Sequence, residues 1–195
     1  MKKSTFEYCE DIISKAMMFA ISAHSGQQRK GSRTPAIIHA MEAATIASTL
    51  TEDNDVIAAA LLHDTIEDTD VTSEQILKMF GAKIAALVAS ETEDKHDEMP
   101  AEESWTIRKE ESISKLKASN DKNIKILWIS DKLSNIRSFY RLHLKYGDKM
   151  WESFNQKDVN KQFWYYKEIA IALSELKNTA AYCEYVDLVN KTFER

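Results

Sequence analysis

The sequence predicts an all-α fold, and three observations carry that prediction. Four Gly and two Pro are spread over 195 residues, so few positions interrupt a helix. Apolar side chains recur three and four residues apart along most of the chain, the period of a one-sided helix. One run, residues 124–129, also suits a β-strand. It continues through Leu133, Ile136, Phe139, Tyr140 and Leu142 at helical spacing, so a buried helix is the preferred reading.

Residues from about Thr5 to Ser25 set Phe6, Ile12, Ile13, Ala16, Met17, Phe19 and Ala20 along one side of a first helix. His24 to Pro35 has the densest positive charge and two of the four glycines, and reads as a loop. Pro35 suits the first turn of a second helix, whose buried side is Ile37, Ile38, Met41, Ala44, Ile46 and Ala47, with His39 one turn in. The polar residues Thr51 to Asn54 cap an alanine-rich third helix beginning near Asp55. Thr72-Ser73-Glu74-Gln75 opens a short helix before Gly81, and Ala82 to Ser90 forms another.

Glu91 to Glu103 is charged and has no helical stripe; it reads as a mobile loop which, beside a cleft, would be a lid. Helical spacing returns from about Ala101 through Trp105, Ile107, Ile113 and Leu116, breaks at Ser119-Asn120-Asp121, and resumes in the apolar run. Trp105, Trp128 and Trp151 read as core or helix-contact residues. After Gly147, Phe154 to Leu176 and Ala180 to Phe193 read as the last helices. With no internal repeat or linker, residues 1–195 are expected to form a single helical-bundle domain.

Composition excludes several functions. A net charge of −5 and a pI near 5.6 argue against a general nucleic-acid binder or a polybasic membrane adaptor, while leaving room for one local basic pocket. Cys9 and Cys183 form no CxxC pair, which fits a reducing cytoplasm better than a disulfide framework or a thiolate metal site. The N-terminus runs into Glu7, Glu10 and Asp11 rather than an apolar core, unlike a signal peptide. No stretch of 18 apolar residues exists for a membrane span.

The chemistry concentrates in Leu61-Leu62-His63-Asp64-Thr65-Ile66-Glu67-Asp68-Thr69, directly after the apolar Val56 to Ala60. If the helix continues, Asp64 shares a face with Glu67 and Asp68, and His63 lies four residues before Glu67. Carboxylates and an imidazole at the end of a buried helix need compensation, and a divalent ion is the simplest. His39 and Asp131 complete a set of two imidazoles and two carboxylates on apolar helices, suited to Mn, Fe, Zn or another borderline ion without choosing among them. Asn135 lies one turn after Asp131 on the same side. Taken singly, each has a plainer reading: His39 as a packed or capping residue, Arg29 and Lys30 as a solvated loop, Glu67 and Asp68 as caps of the next turn, Asp131 as a partner of Lys132 or Arg137.

The order His39, His63-Asp64, Asp131 resembles the H…HD…D pattern of the HD-domain metal-dependent phosphohydrolases. The flanking residues sharpen it: His24-x-Gly26-Gln27-x-Arg29-Lys30-Gly31, Pro35-x-x-x-His39, Leu61 to Thr69, Phe80-Gly81, and Asp131-Lys132-Leu133-x-Asn135-x-Arg137. Over roughly residues 15–170 these are similar to the hydrolase domain of the RelA/SpoT alarmone proteins. Their synthetase and regulatory domains have no room here, so the resemblance implies a stand-alone small alarmone hydrolase.

It also implies an all-helical fold, a bound Mn ion, and removal of the 3′-pyrophosphate from guanosine tetra- or pentaphosphate. His39, His63, Asp64 and Asp131 match the metal ligands. Glu67 and Asp68 match the catalytic acidic pair that orients or deprotonates the attacking water. Arg29 and Lys30 match the basic lining of the nucleotide pocket, with Lys95, Asn135 and an aromatic from Trp164-Tyr165-Tyr166, here taken as Tyr165, as further contacts. A divalent ion would lower the pKa of bound water and polarise a phosphoryl oxygen. Ala36 stands where the family usually has an aromatic residue, Ala40 where it has proline, and Ser134 where it often has histidine. Ala36 bears on the exact substrate, so another nucleotide phosphatase, acting on NADPH or a deoxynucleotide, and a non-catalytic nucleotide sensor are the competing functions. His24 is expected to support the site, and His96 and His143 to lie at the surface.

Overall fold

The computed structural model describes residues 11–96 and 98–193. Phe6, Cys9 and the N-terminal reading lie outside the described residues. Helix α1 (Ile12–Ala23) is capped by Asp11, whose carboxylate accepts the Ser14 N–H at 2.7 Å. It ends at Ala23, short of the Ser25 that its apolar spacing suggests, and the expected start near Thr5 lies outside the described residues. The basic loop then folds on itself. Arg29 N–H donates to Thr34 O at 2.8 Å and Ala36 N–H to Gln27 O at 3.0 Å around an isolated bridge between Gln28 and Pro35. At its tip Gly31 has φ +74°, and a Cβ there would lie 3.2 Å from Leu142 Cδ1.

Helix α2 spans Ile37–Ser48, and α3 spans Asn54–Leu62 with Asp53 capping the Asp55 N–H at 3.1 Å. Every residue of α3 from Val56 to Leu62 is buried, so this helix is apolar all round and forms the centre of its half of the protein. Full burial of each leucine contributes about 1.5–3 kcal/mol. The helix does not run on through the acidic stretch. His63 and Asp64 form a turn, and a separate short α4 covers Thr65–Asp68. The break has a local cause. Thr65 Oγ1 donates to Leu62 O at 2.6 Å and His63 Nδ1 to Ala60 O at 2.9 Å, so side chains occupy carbonyls of the last turn.

Helix α5 (Ser73–Phe80) opens with a reciprocal capping box between Thr72 and Gln75, and Gly81 at φ +86° leads into α6 (Ala82–Glu91). Helix α7 covers Ala101–Ala118, and the preferred helical reading of the apolar run holds in the long α8, Lys122–Tyr146. A 3-10 segment, Gly147–Ser153, replaces regular helix after it. The last reading from Phe154 contracts to α9, Val159–Ala172, because Asp158 caps the Asn160 N–H at 2.8 Å, and α10 covers Ala180–Phe193.

Two apolar clusters meet along α8. Ile126 and Leu127 join the cluster built on α1, α2, α3, α5 and α6, whereas Trp128, Ile129, Leu133 and Ile136 join the cluster with α7, α9 and α10. Trp105, Trp128 and Trp151 are buried in the second cluster, as their composition suggests. Among the described residues no helix is long and apolar enough to cross a membrane, and no strand is present.

Candidate active site

Four polar side chains converge where α2, α8 and the turn after α3 meet. His39 Nε2 and His63 Nε2 lie 3.1 Å apart, and Asp131 Oδ1 is 2.9 Å from the first and 3.5 Å from the second. Both histidines and Asp131 are buried. Asp64 is more open. Its Oδ1 is 3.2 Å from His63 Nε2 and its Oδ2 3.5 Å from His39 Nε2. The four residues matched from the sequence therefore do come together, with Asp64 at the edge of the cluster.

The hydrogen bonds behind the rings fix which nitrogens face inward bare. Ala60 O can only accept, so His63 Nδ1 carries the proton at 2.9 Å. Ser134 Oγ donates to Glu42 Oε2 at 2.7 Å, so it accepts from His39 Nδ1 at 2.8 Å. Both Nε2 lone pairs then point at one another and at a carboxylate oxygen. Asp131 Oδ2 already pairs with Lys132 Nζ at 2.5 Å, one of the plainer readings of that residue, but its Oδ1 still faces the two imidazole nitrogens, a spot that a further positive charge would complete. The ligand atoms of His39, His63 and Asp131 all lie within 4.8 Å of one another, and two nitrogens with carboxylate oxygen are the donor set of a divalent ion, so the residues present fit one.

The charge state agrees. Burial works to lower the His63 pKa, yet Asp64 and Asp131 outweigh it and hold it well above the usual imidazole value. For His39 burial wins, assisted by the Arg29 charge, and the pKa falls. Without an ion that positive charge would be a proton on His63 Nε2, the position that a bound cation takes instead.

A cavity of about 530 Å³ opens over this cluster, within the size range of small-molecule sites. Its floor is acidic: Asp64, Glu67, Asp68 and Asp131 line it. Arg29 and Lys30 come from the basic loop, and Arg108, Lys109 and Lys132 from α7 and α8. Arg29 donates to Asn135 Oδ1, and Asn135 Nδ2 to Asp131 Oδ1 at 2.5 Å, so one short chain joins the basic loop to the ion cluster. Tyr165 and Tyr166 both line the cavity, unlike Trp164, and the buried Tyr165 hydroxyl has no partner. Ala36 lines it too. Lys95 does not. It donates to the Glu67 backbone carbonyl and lines an adjoining groove behind the acidic pair.

Burial, then the charges of Glu93 and Asp64, push the Glu67 carboxyl up to about 7; burial and Asp64 also raise Asp68. His24 reaches this pair only through Gln27 and the Asp68 backbone. Its Nδ1 meets Gln27 Oε1 at 2.8 Å, and Gln27 Nε2 donates to Asp68 O at 2.6 Å. His96 instead lies between Glu98 and Glu111, at 3.2 and 3.1 Å.

The segment read as a mobile lid is pinned at its start. The nearly buried Glu93 carboxylate accepts from Arg108 and Ser112 at 3.1 Å each and pairs with Lys109. Sequence reading missed three groups here: Glu93, Lys109 and the buried Glu91, whose two carboxyl oxygens have no partner and whose pKa burial, then Asp131, raise to about 8. Their only signal was position, Glu91 closing an apolar helix and Lys109 following Arg108 four residues after Trp105.

Residues 16–150 match a family model described as an HD domain. The chain is 35 % identical over 128 residues to a guanosine-3′,5′-bis(diphosphate) 3′-pyrophosphohydrolase of Aquifex aeolicus, and 34 % over 130 residues to a GTP pyrophosphokinase of Myxococcus xanthus. The matched stretch covers 66 % of this chain but only 18 % and 17 % of those proteins. It is also 35 % identical over 133 residues to the pyrophosphohydrolase MESH1 of Danio rerio, covering 67 % of this chain and 70 % of that one. Among solved structures, one described as a metazoan ortholog of SpoT that hydrolyses ppGpp superposes with a TM-score of 0.74 at 25 % identity, covering 94 % of this chain and 96 % of that one. The protein lmo0812 of Listeria monocytogenes gives 0.66 at 30 %, over 80 % and 94 %.

Proposed function

The chain belongs to the HD-domain family, and from that premise we propose that it is a metal-dependent hydrolase that removes the 3′-pyrophosphate of guanosine tetra- or pentaphosphate, leaving GDP or GTP. The observation that carries this reading is the pair of imidazole Nε2 atoms 3.1 Å apart beside Asp131, under a cleft lined by Arg29, Lys30, Arg108, Lys109 and Lys132. His39, His63, Asp131 and Asp64 would hold a divalent ion, with Mn2+ as our assignment. That ion supplies Lewis acidity toward a phosphoryl oxygen and toward water.

The remaining work falls to the chain's own groups. Arg29 and Lys30 receive phosphate oxygens, Arg29 already oriented by Asn135. Lys109 and Lys132, paired with Glu93 and Asp131, line the same cleft and lower its negative charge, and the free Tyr165 hydroxyl can donate there. Glu67, with a pKa near neutrality, takes the proton of the attacking water, while Asp68, steadied through Gln27, orients it. The bond between the 3′-oxygen and phosphorus breaks; the water oxygen ends on pyrophosphate and a proton on the 3′-hydroxyl.

The test is to incubate Mn2+-loaded protein with a panel of ppGpp, pppGpp, NADPH and deoxynucleoside triphosphates. We expect pyrophosphate and GDP from ppGpp, and none from Asp131→Asn with its helical CD signal kept. Turnover of another panel member with ppGpp untouched would move the substrate, a shift that Ala36 in the cavity wall would explain. Tight retention of uncleaved ppGpp would make the protein a sensor.

A further inference from the structure

Behind His39 runs a connected chain of polar groups that ends on α10, at a residue outside the cleft's lining. His39 Nδ1 donates to Ser134 Oγ at 2.8 Å, and Ser134 donates to Glu42 Oε2 at 2.7 Å. The other oxygen of Glu42 accepts from Arg137 Nη1 at 3.1 Å. Arg137 turns its Nε and Nη2 to Glu184 on α10, a two-pronged contact at 2.6 Å on each oxygen. Ser134 and His39 are buried, whereas Glu42, Arg137 and Glu184 are partly open. Glu184 lies outside residues 16–150, the part that matches the family model.

We propose that Glu42 is a positioning residue for the metal ligand His39, acting through Ser134, and that Glu184 on the C-terminal helix holds Glu42 in that role through Arg137. The inference rests on the reading of His39 as a ligand. With the carboxylate of Glu42 accepting, the serine hydroxyl has no proton to offer His39, so Nδ1 must keep its own and Nε2 must face the ion bare. A glutamine at position 42 has one acceptor oxygen for two donors. Either Arg137 or Ser134 loses its acceptor, and a freed serine proton can turn to Nδ1 and drive the ring proton onto Nε2, where it blocks coordination. Arg137, charged at all ordinary pH, is aimed at Glu42 by the fork it makes with Glu184.

The experiment uses the full chain: wild type, Glu42→Gln, Glu184→Gln and the double variant. Mn2+ and Zn2+ affinities are measured by competition with a fluorescent chelator, and the His39 ring nitrogens by 15N NMR in EDTA. We expect Glu42→Gln to weaken binding roughly 10- to 100-fold and to move the His39 signal from the Nδ1–H form toward a mixture. Glu184→Gln should weaken binding a few-fold in the wild-type background and not at all on top of Glu42→Gln. Unchanged affinity and tautomer in Glu42→Gln, or equal effects of Glu184→Gln in both backgrounds, overturn the relay. If far-UV CD shows Glu42→Gln unfolded, Ser134→Ala takes its place, with the same expected loss and the same refutation. A wild-type chain that binds neither ion overturns the metal reading and the relay with it; wild type binding tightly while the variants match it overturns the relay alone.

Discussion

Half-buried Glu67 and buried Glu91 are carboxyls in one cleft, and their surroundings give them opposite expectations. Glu67, raised to about 7 by burial and by Glu93 and Asp64, is poised to gain and lose a proton. Glu67→Gln should reduce kcat by about 10²- to 10⁴-fold with KM little changed. As a base it works only when ionised, so the wild-type rate should climb with pH through an acid limb at or below pH 7, which a bound cation can only move lower. An equally steep limb in the glutamine variant would remove Glu67 from the reaction.

Glu91 instead loads the fold. Its folded pKa of about 8 exceeds its ordinary value of 4.5, so the unfolded chain releases the proton first and stability declines as pH rises between those values. In EDTA, Glu91→Gln should melt together with wild type at pH 4 and a few kcal/mol above it at pH 8, given that one pKa unit is about 1.4 kcal/mol. Identical melting at both pH values would show that Glu91 finds a partner in solution.

These residues also mark how legible the site was. His63, Asp64, Glu67 and Asp68 announce themselves as a cluster, and His39 and Asp131 as polar residues in apolar helices. Glu91 and Lys109 do not: the partners that enclose Lys109, Glu93 and the Tyr165 ring, come from elsewhere in the sequence, and Glu91 reads only as the end of an apolar helix. Lys95, matched only as a further nucleotide contact in the charged loop, donates to the Glu67 carbonyl and does not line the cavity.

Among the elements, α8 and the capped starts of α3 and α5 follow directly from spacing and polar side chains, whereas the break after α3 does not. It depends on His63 and Thr65 bonding back to carbonyls, which a strong helical pattern hides. The segment after α6 is a loop over its described residues, as its missing helical stripe suggests, but its charges pointed to solvent, whereas Glu93 is neutralised by Arg108 and Lys109 of α7. Glu93 is the pin. Glu93→Ala should speed amide exchange across residues 92–96, measured by mass spectrometry, while α6 keeps its protection. Unaltered exchange there would place the anchor elsewhere, with the Lys95 contact as the remaining tie.

At the scale of the whole molecule, α8 belongs to both apolar clusters, and we expect one cooperative unit rather than two. The four tryptophans sit on one side of it: Trp105, Trp128 and Trp151 within the second cluster and Trp164 packed against it. Leu61, fully buried in the other cluster, is a clean probe. Leu61→Ala should cost about 2–5 kcal/mol, and the midpoint followed by tryptophan fluorescence should fall as far as that followed by far-UV CD. A CD shift without a fluorescence shift would divide the chain into two folding units.

The acidic floor and cationic walls of the cleft set an order of events. A polyphosphate arriving first would meet the carboxylates of Asp64, Glu67 and Asp68, while a divalent ion arriving first would offset their charge. Initial-rate kinetics should therefore show sequential addition, ion before nucleotide, with free nucleotide in excess acting as a chelating inhibitor.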